Sequence, residues 1–101
     1  VLAYEDVKCI ACGAFRPLNE TTAEIKRMYT LPEFRNQGIG KKILQELETW
    51  ARSEDFKVVI LETGINQPEA IAAYEKSGYT RMPNFPPYEK VKESICFQKK
   101  L

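Results

Sequence analysis

Residues 28–42 constrain the fold of this chain more than any other stretch, because three kinds of local structure meet there. An extended apolar segment enters a turn at Pro32, the turn carries the spacing Arg35-x-x-Gly38-x-Gly40, and an amphipathic helix begins on the second glycine. Glycines at a helix start let backbone N–H groups approach an anion, since no Cβ stands in the way. The helix dipole favours negative charge at the same place. The stretch predicts a strand–turn–helix unit that cradles a phosphate.

The helix predicted over residues 38–53 has the clearest pattern in the chain. Its apolar residues recur at intervals of three and four and form one stripe. The stripe contains Ile39, Ile43, Leu44, Leu47, Trp50 and Ala51, while Lys41, Lys42, Gln45, Glu46 and Glu48 lie away from it. The β-branched run of residues 57–62 then predicts a buried strand. A strand, a helix and a strand in this order predict a right-handed crossover between two parallel strands.

Further strands and one more helix are predicted outside this unit. The strands cover residues 1–5, 7–15, 21–30, 79–82 and 94–99. The first three have short connections and indicate an antiparallel meander, with a bulge or a close contact at Gly13. The second helix begins near Asn66, because Asn66 and Glu69 fit a capping box and Pro68 suits the first turn. Gly78 is the expected residue just beyond its end.

Composition argues against several classes of function. The net charge is +1, which gives no footprint for nucleic acid or an anionic membrane. No apolar run approaches the roughly 20 residues of a spanning helix, and nothing at the N-terminus has the pattern of a signal peptide. We therefore expect one domain over residues 1–101, in the cytoplasm, with no nucleic-acid and no membrane partner.

The cysteines offer a weak metal or redox signal. Cys9 and Cys12 have Cys-x-x-Cys spacing, yet they lie in a predicted strand, where residues three apart point to opposite faces. No second pair completes a zinc site, and the chain has no histidine. We expect structural cysteines and no metal.

Other glycine motifs fit the turn less well than an anion cradle. A dinucleotide-binding fingerprint requires a third small residue where Ile43 stands, and the spacing of a Walker A loop does not occur. A tight turn in which glycine merely relieves strain explains the motif alone equally well. The choice therefore depends on the rest of the chain.

That context resembles the GNAT superfamily of N-acetyltransferases. The resemblance rests on the motif at residues 35–40 after a strand, on Ala23-Glu24-Ile25 at the entry to that strand, and on the Tyr-x-Lys-x-Gly-Tyr pattern at residues 74–79. It runs from that fold's second strand to its seventh and implies an α/β (α+β) domain. The sheet of such a domain is mixed and mostly antiparallel, with a central parallel pair and two helices. The first strand and two helices have no counterpart, so we expect an N-terminally truncated domain.

By this resemblance the phosphate belongs to acetyl-CoA, which is the cosubstrate, and no metal takes part. The implied binding residues are Met28, Tyr29, Thr30, Arg35, Asn36, Gln37, Gly38, Ile39, Gly40, Lys41 and Asn66. Residues 28–30 pair with the pantetheine arm as if it were an added strand, and residues 36–41 hold the pyrophosphate. Arg35 either shapes the turn or adds charge. The helix cap alone is an alternative explanation for Asn66.

Acetyl transfer to an amine requires a base, an oxyanion partner and an acid for the leaving thiolate. Without histidine, a carboxylate is the natural base, and the resemblance implies Glu24; a glutamate with no catalytic part is the alternative. Tyr74 is the implied acid, with a core-packing tyrosine as its alternative. A backbone N–H near Met28 or Tyr29 is the implied oxyanion partner.

The resemblance thus implies an N-acetyltransferase that uses direct attack by a primary amine in a ternary complex. A small molecule or a peptide supplies the amine, and Phe85, Pro87 and Tyr88 either line its pocket or pack a stiff loop. The rival hypothesis is a non-catalytic module that binds acetyl-CoA or another protein. In that hypothesis a homodimer covers the sheet face left bare by the absent helices.

Overall fold

A six-stranded sheet with two α-helices forms the fold in the computed structural model, which describes residues 1–101. The elements in chain order are β1 (Leu2–Glu5), β2 (Lys8–Pro17), β3 (Thr22–Thr30), a 3-10 turn (Pro32–Phe34), α1 (Ile39–Ser53), β4 (Val58–Gly64), α2 (Pro68–Lys76), β5 (Thr80–Met82) and β6 (Ser94–Lys100). The strand order is β1-β2-β3-β4-β6-β5, and only β3 and β4 run parallel. The predicted fold class is therefore confirmed, including the meander and the central parallel pair.

Gly13 forms part of a bulge, as predicted. The pairing of β2 with β3 shifts between Cys12 and Ala14, so that one residue of β2 lies opposite Arg27 and Met28 of β3. A Cβ on Gly13 would lie 2.5 Å from the Met28 sulfur and 2.7 Å from a methyl of Ile43. Glycine is therefore required here, because α1 packs directly against the strand.

Both helices pack on one face of the sheet, which we call the helix face. Their apolar residues share one core with alternate residues of the strands, including Ala23, Ile25, Val59, Leu61, Ile95 and Phe97. The other face carries the opposite residues of the same strands and a smaller core of Ile60, Phe85 and Cys96. We call it the loop face, because the connection between β5 and β6 covers it. The amide nitrogen of Asn84 lies 3.0 to 3.3 Å from two carbonyl oxygens of this connection and from that of Ser94 at the start of β6, and so braces the connection.

Helix α1 follows most of its predicted stripe, with two exceptions. Trp50 is 50% exposed, and its ring packs edge-on against Phe15. Glu48, predicted to face away, is buried. Its carboxylate accepts hydrogen bonds from the Tyr79 hydroxyl at 2.8 Å and the Lys99 ammonium at 3.0 Å. These partners make burial of the charge tolerable, and they join α1 to β6 and to the segment after α2.

The predicted capping box of α2 is wrong. Gln67 is the residue that precedes the helix, no side chain caps it, and Asn66 is exposed. Pro68 does occupy the first turn, and Gly78 has the left-handed conformation expected beyond a helix end, with φ of +92°. Neither helix is long and apolar enough to span a membrane.

Replacement of Glu48 by alanine should lower the free energy of unfolding by about 2–3 kcal/mol, measured by urea denaturation. The reason is that the substitution leaves the Tyr79 hydroxyl and the Lys99 ammonium without their acceptor. Glu46→Ala, on an exposed turn of the same helix, is the matched control and should change stability by less than about 0.5 kcal/mol. Equal losses for the two variants would contradict the structural role of Glu48.

Candidate functional site

A cleft opens in the sheet where the two parallel strands separate. β3 and β4 pair only from Thr22 with Val58 to Glu24 with Ile60. Beyond that point both strands continue apart, and their unpaired edges border a cleft of about 870 Å³. An extended chain with amide groups can hydrogen-bond to such a free strand edge. The cleft therefore suits a long, peptide-like ligand.

The bulge lies on the wall of this cleft. Arg27 has a positive φ of +57° inside β3, which is uncommon for a residue with a side chain. Bulges re-aim backbone groups and occur often beside functional sites. The distortion falls at Arg27 and Met28, next to the place where the sequence predicts an oxyanion partner.

The predicted anion cradle forms the far end of the cleft. Asn36 and Gly38 both have positive φ, +64° and +77°, and Gly38 directly precedes α1. No side chain caps this helix N-terminus, so its first N–H groups are available to an anion. Arg35 donates from Nε to the Thr30 carbonyl at 2.9 Å and stacks over Tyr29. Of its two predicted roles, the structure shows the turn-shaping contact.

Gly40 is a glycine that the fold itself does not need. A Cβ at this position would meet only the Thr30 hydroxyl oxygen, at an ordinary contact distance of 3.6 Å. Alanine in a helix is more favourable than glycine by about 1 kcal/mol. Close approach of a ligand to the start of α1 explains a glycine here, and a phosphate group fits the charge of that end.

Tyr74 reaches the cleft from α2 on the helix face. It is half-buried and packs against Tyr79 and Phe97, with ring centroids 5.8 and 6.0 Å apart. Burial raises the pKa of Tyr74 above its usual value. The phenol is therefore protonated at neutral pH and holds a proton that it can donate.

Most predicted binding residues meet at this cleft. Its lining contains Met28, Tyr29, Thr30, Arg35, Asn36, Gly38, Ile39, Gly40, Lys41 and Tyr74. Gln37 instead borders a second cavity beside β1, and its amide lies within hydrogen-bond distance of the Glu33 carbonyl. Asn66 is exposed and does not line the cleft. The three cysteines are free, and no group of three acidic, cysteine or histidine residues could hold a metal.

Glu24 lies on the loop face, opposite to Tyr74, at the last residue of β3 that pairs with β4. It is only 1% exposed. Its carboxylate lies 3.0 Å from Nε of Arg16 and 3.7 Å from the ammonium of Lys26. The predicted acid and base therefore lie on opposite faces of the sheet; Glu24 does not line the cleft and is enclosed by two cations.

Glu62 also lines the cleft, although no sequence motif marks it. It follows Ile60 by two positions on β4, so it shares the loop face. The Ser94 hydroxyl donates to its carboxylate at 2.6 Å, and no cation pairs with it. Burial, then Glu62 and Glu24, raise the pKa of the nearby Tyr88 hydroxyl. The sequence signal for this residue was a glutamate at the end of the apolar run in the strand predicted over residues 57–62.

Comparisons with known proteins identify the family. The profile of the Acetyltransferase (GNAT) family matches residues 1–79, and the chain belongs to that family. It is 34% identical over 93 residues to the IAA acetyltransferase of Azospirillum brasilense, covering 91% of this chain and 61% of that protein. It is 30% identical to the uncharacterized N-acetyltransferase YsnE of Bacillus subtilis, covering 98% of this chain and 67% of that protein.

Solved structures agree on the architecture. A Klebsiella pneumoniae protein described as an acyl-CoA N-acyltransferase superposes with a TM-score of 0.87 at 40% identity, over 92% of this chain and 64% of that one. A GNAT acetyltransferase of Elizabethkingia anophelis, solved with acetyl-CoA bound, superposes with a TM-score of 0.86 at 22% identity, over 99% of this chain and 74% of that one. At that identity the second likeness concerns the fold alone.

Proposed function

We propose that this chain transfers an acetyl group from acetyl-CoA to a primary amine by direct attack in a ternary complex. The observation that carries the proposal is the continuous cleft, whose free strand edges lead to an uncapped helix N-terminus at Gly38. Coenzyme A has a matching order of parts, because an extended arm with two amide groups joins its thiol to a pyrophosphate. Acetyl-CoA supplies the activated acetyl group when it is bound.

The chain's backbone provides most of the binding in this proposal. Residues 28–30 offer the free edge of β3 to the amide-bearing arm. The first N–H groups of α1, at residues 39–41, hold the pyrophosphate, and the helix dipole adds favourable charge. Lys41 lines the same end of the cleft and adds a side-chain cation. Asn36 and Gly38 keep the turn in the shape that exposes these groups.

Proton transfer is divided between the two faces of the sheet. On the helix face, Tyr74 donates its proton to the leaving thiolate, and its raised pKa keeps that proton in place beforehand. On the loop face, Glu62 accepts the proton of the acceptor amine, because it lines the cleft and no cation pairs with it. Glu24, the base predicted from the sequence, is proposed to fix Arg16 and Lys26 instead.

Replacement of Gly40 by alanine should weaken coenzyme A binding about 10- to 100-fold, as calorimetry would measure, since loss of hydrogen bonds to a charged group costs about 1.5–3 kcal/mol. The melting temperature should stay equal or rise, because a Cβ fits without a clash. Gly64→Ala is the matched control, with the same 3.6 Å clearance but outside the cleft. Unchanged binding in Gly40→Ala, or no coenzyme A binding by the wild-type chain, would overturn the proposed function.

Tyr74→Phe should lower kcat by about 100-fold or more while leaving the affinity for coenzyme A unchanged, because only the donated proton is lost. Steady-state kinetics with calorimetry measure the two quantities separately. Tyr4→Phe, at an exposed position on β1, controls for removal of a phenol elsewhere. Full turnover in Tyr74→Phe would remove Tyr74 from the mechanism.

The two glutamates should separate in a parallel experiment. Glu62→Gln should lower kcat by about 100-fold with little change in the melting temperature, since the amide keeps the shape but accepts no proton. Glu24→Gln should chiefly lower stability, because it removes the charge that Arg16 and Lys26 surround. If Glu24→Gln abolished turnover in a folded protein while Glu62→Gln did not, the roles would be reversed.

We also propose that the protein acts in the cytoplasm and pairs as a homodimer. The support for pairing is β1, an edge strand that exposes Leu2 and Tyr4, and Val7 in the turn beyond it. Light scattering coupled to size exclusion should give twice the monomer mass, and Tyr4→Lys should shift it towards the monomer. A monomer at all concentrations would contradict the homodimer and would also weaken the rival hypothesis of an interaction module.

A further inference from the structure

Positive and negative charges are unevenly distributed over the loop face beside the cleft. Glu24 is a single buried carboxylate, yet it lies beside two cations, Arg16 and Lys26. The side chains of these cations are 55% and 38% exposed. Arg16 contacts Glu24 through Nε, and its outer guanidinium nitrogens make no hydrogen bond within the chain. This end of the face therefore has one positive charge in excess and free donors.

An excess of negative charge lies on β4. Glu62 borders the cleft and is half-buried, and its only hydrogen-bond partner is the neutral Ser94 hydroxyl. A half-buried carboxylate without a cation attracts a positively charged group strongly, because screening by water is reduced there. The loop face thus has a negative end at Glu62 and a positive end at Arg16.

The two ends are close enough to hold one small molecule. Glu24 pairs with Arg16 on one side and with Ile60 on the other, and Glu62 lies two residues beyond Ile60. Because β3 lies between them, Arg16 on β2 and Glu62 on β4 are two strand spacings apart, roughly 10 Å, with a further advance of about 6.6 Å along the strand. Arginine and glutamate side chains bridge most of such a separation. Both groups also lie in the surroundings of Tyr88, whose pKa responds to Glu62 in one direction and to Arg16 in the other.

We propose that the acceptor is a free α-amino acid, bound with its ammonium group on Glu62 and its carboxylate on the outer nitrogens of Arg16, with Lys26 adjacent. This inference rests on the proposed acetyl transfer and specifies its substrate class. Guanidinium groups bind carboxylates through paired hydrogen bonds, so Arg16 suits that part. A diamine or the amine of a lysine side chain would leave the positive end without a partner and would be repelled by it.

The reaction balances with groups that the chain provides. Glu62 takes one proton from the ammonium, and the free amine attacks the carbonyl carbon of the thioester. The new nitrogen–carbon bond forms as the carbon–sulfur bond breaks, and the thiolate takes the proton of Tyr74. The second ammonium proton leaves the nitrogen as the amide forms and restores the phenol of Tyr74, and Glu62 then gives its proton to water, so that one proton is released overall. The products are an N-acetyl amino acid and coenzyme A.

Acceptors with and without a carboxylate test directly whether the chain recognises that group. The full chain would be assayed for thiol release with α-amino acids and with their decarboxylated counterparts, for example L-phenylalanine and 2-phenylethylamine. L-Phenylalanine amide completes the set. It also has no carboxylate, but its amine is less basic than that of 2-phenylethylamine, so it controls for amine basicity. We expect at least one amino acid to exceed both analogues in kcat/KM by about 10-fold or more, as expected for one charge-assisted hydrogen bond.

Variants then assign the preference to Arg16. Arg16→Gln should raise KM for the preferred amino acid about 10- to 100-fold, with no change in kcat or in acetyl-CoA affinity. Turnover of the decarboxylated amine should be unaffected. Arg52→Gln, an exposed arginine at the end of α1, is the matched control and should behave as wild type.

Three results would overturn the proposal. These are equal or better use of the analogues, no acetylation of any α-amino acid by a chain that binds acetyl-CoA, and an unchanged KM in Arg16→Gln. Failure of the wild-type chain to bind acetyl-CoA is a different result, because it overturns the acetyltransferase function and the acceptor class together. Acetyl-CoA binding, measured first by calorimetry, therefore separates the two failures.

Discussion

The separation of β3 from β4 after three paired residues is the constraint on which the rest of the structure depends. Two parallel strands in the middle of a sheet normally continue their ladder, since each unpaired N–H and C=O group loses a hydrogen bond. Here the ladder stops at Glu24, and both strands remain held on their outer sides by β2 and β6. The opening is therefore rigid, and its backbone groups are left for a ligand.

This opening also divides the chemistry between two unlike surfaces. The helix face is apolar around Tyr74, which favours a neutral phenol that keeps its proton. The loop face carries Glu24 and Glu62 with two cations, which favours charged acceptors. A sheet without the opening would keep these groups apart. Glu62 and Tyr74 both line the cleft, because the strands part between the two faces.

Local patterns predicted much of the fold and part of the site. The stripe of α1, the bulge at Gly13 and the turn at Gly38 follow from periodicity or from the backbone needs of single residues, so the sequence reveals them. The helical pattern put Tyr74 on the face of α2 that meets the sheet, and in the structure its ring packs against Phe97 of β6 and lines the cleft.

The remaining features depend on contacts between distant segments. Glu48 is buried because Tyr79 and Lys99 reach it from the other end of the chain, which no helical pattern encodes. Glu62 was not predicted, because its position at the cleft depends on the point at which β3 separates from β4. Gln37, predicted to bind through its backbone N–H, borders the second cavity, and Asn66, predicted from the resemblance, does not line the cleft; the direction of each turn, which the sequence does not show, decides both positions.

The fold does not require a glycine at position 40, and this has a consequence for how the position changes in evolution. Gly13 is kept by packing, and at Gly38 the positive φ strains most other residues, so a replacement is costly at both positions. Gly40 has no such protection, and selection for stability alone would replace it with alanine. A lineage that stopped using its ligand would therefore lose this glycine early and keep the other two. The residue at position 40 thus records whether ligand binding is still under selection.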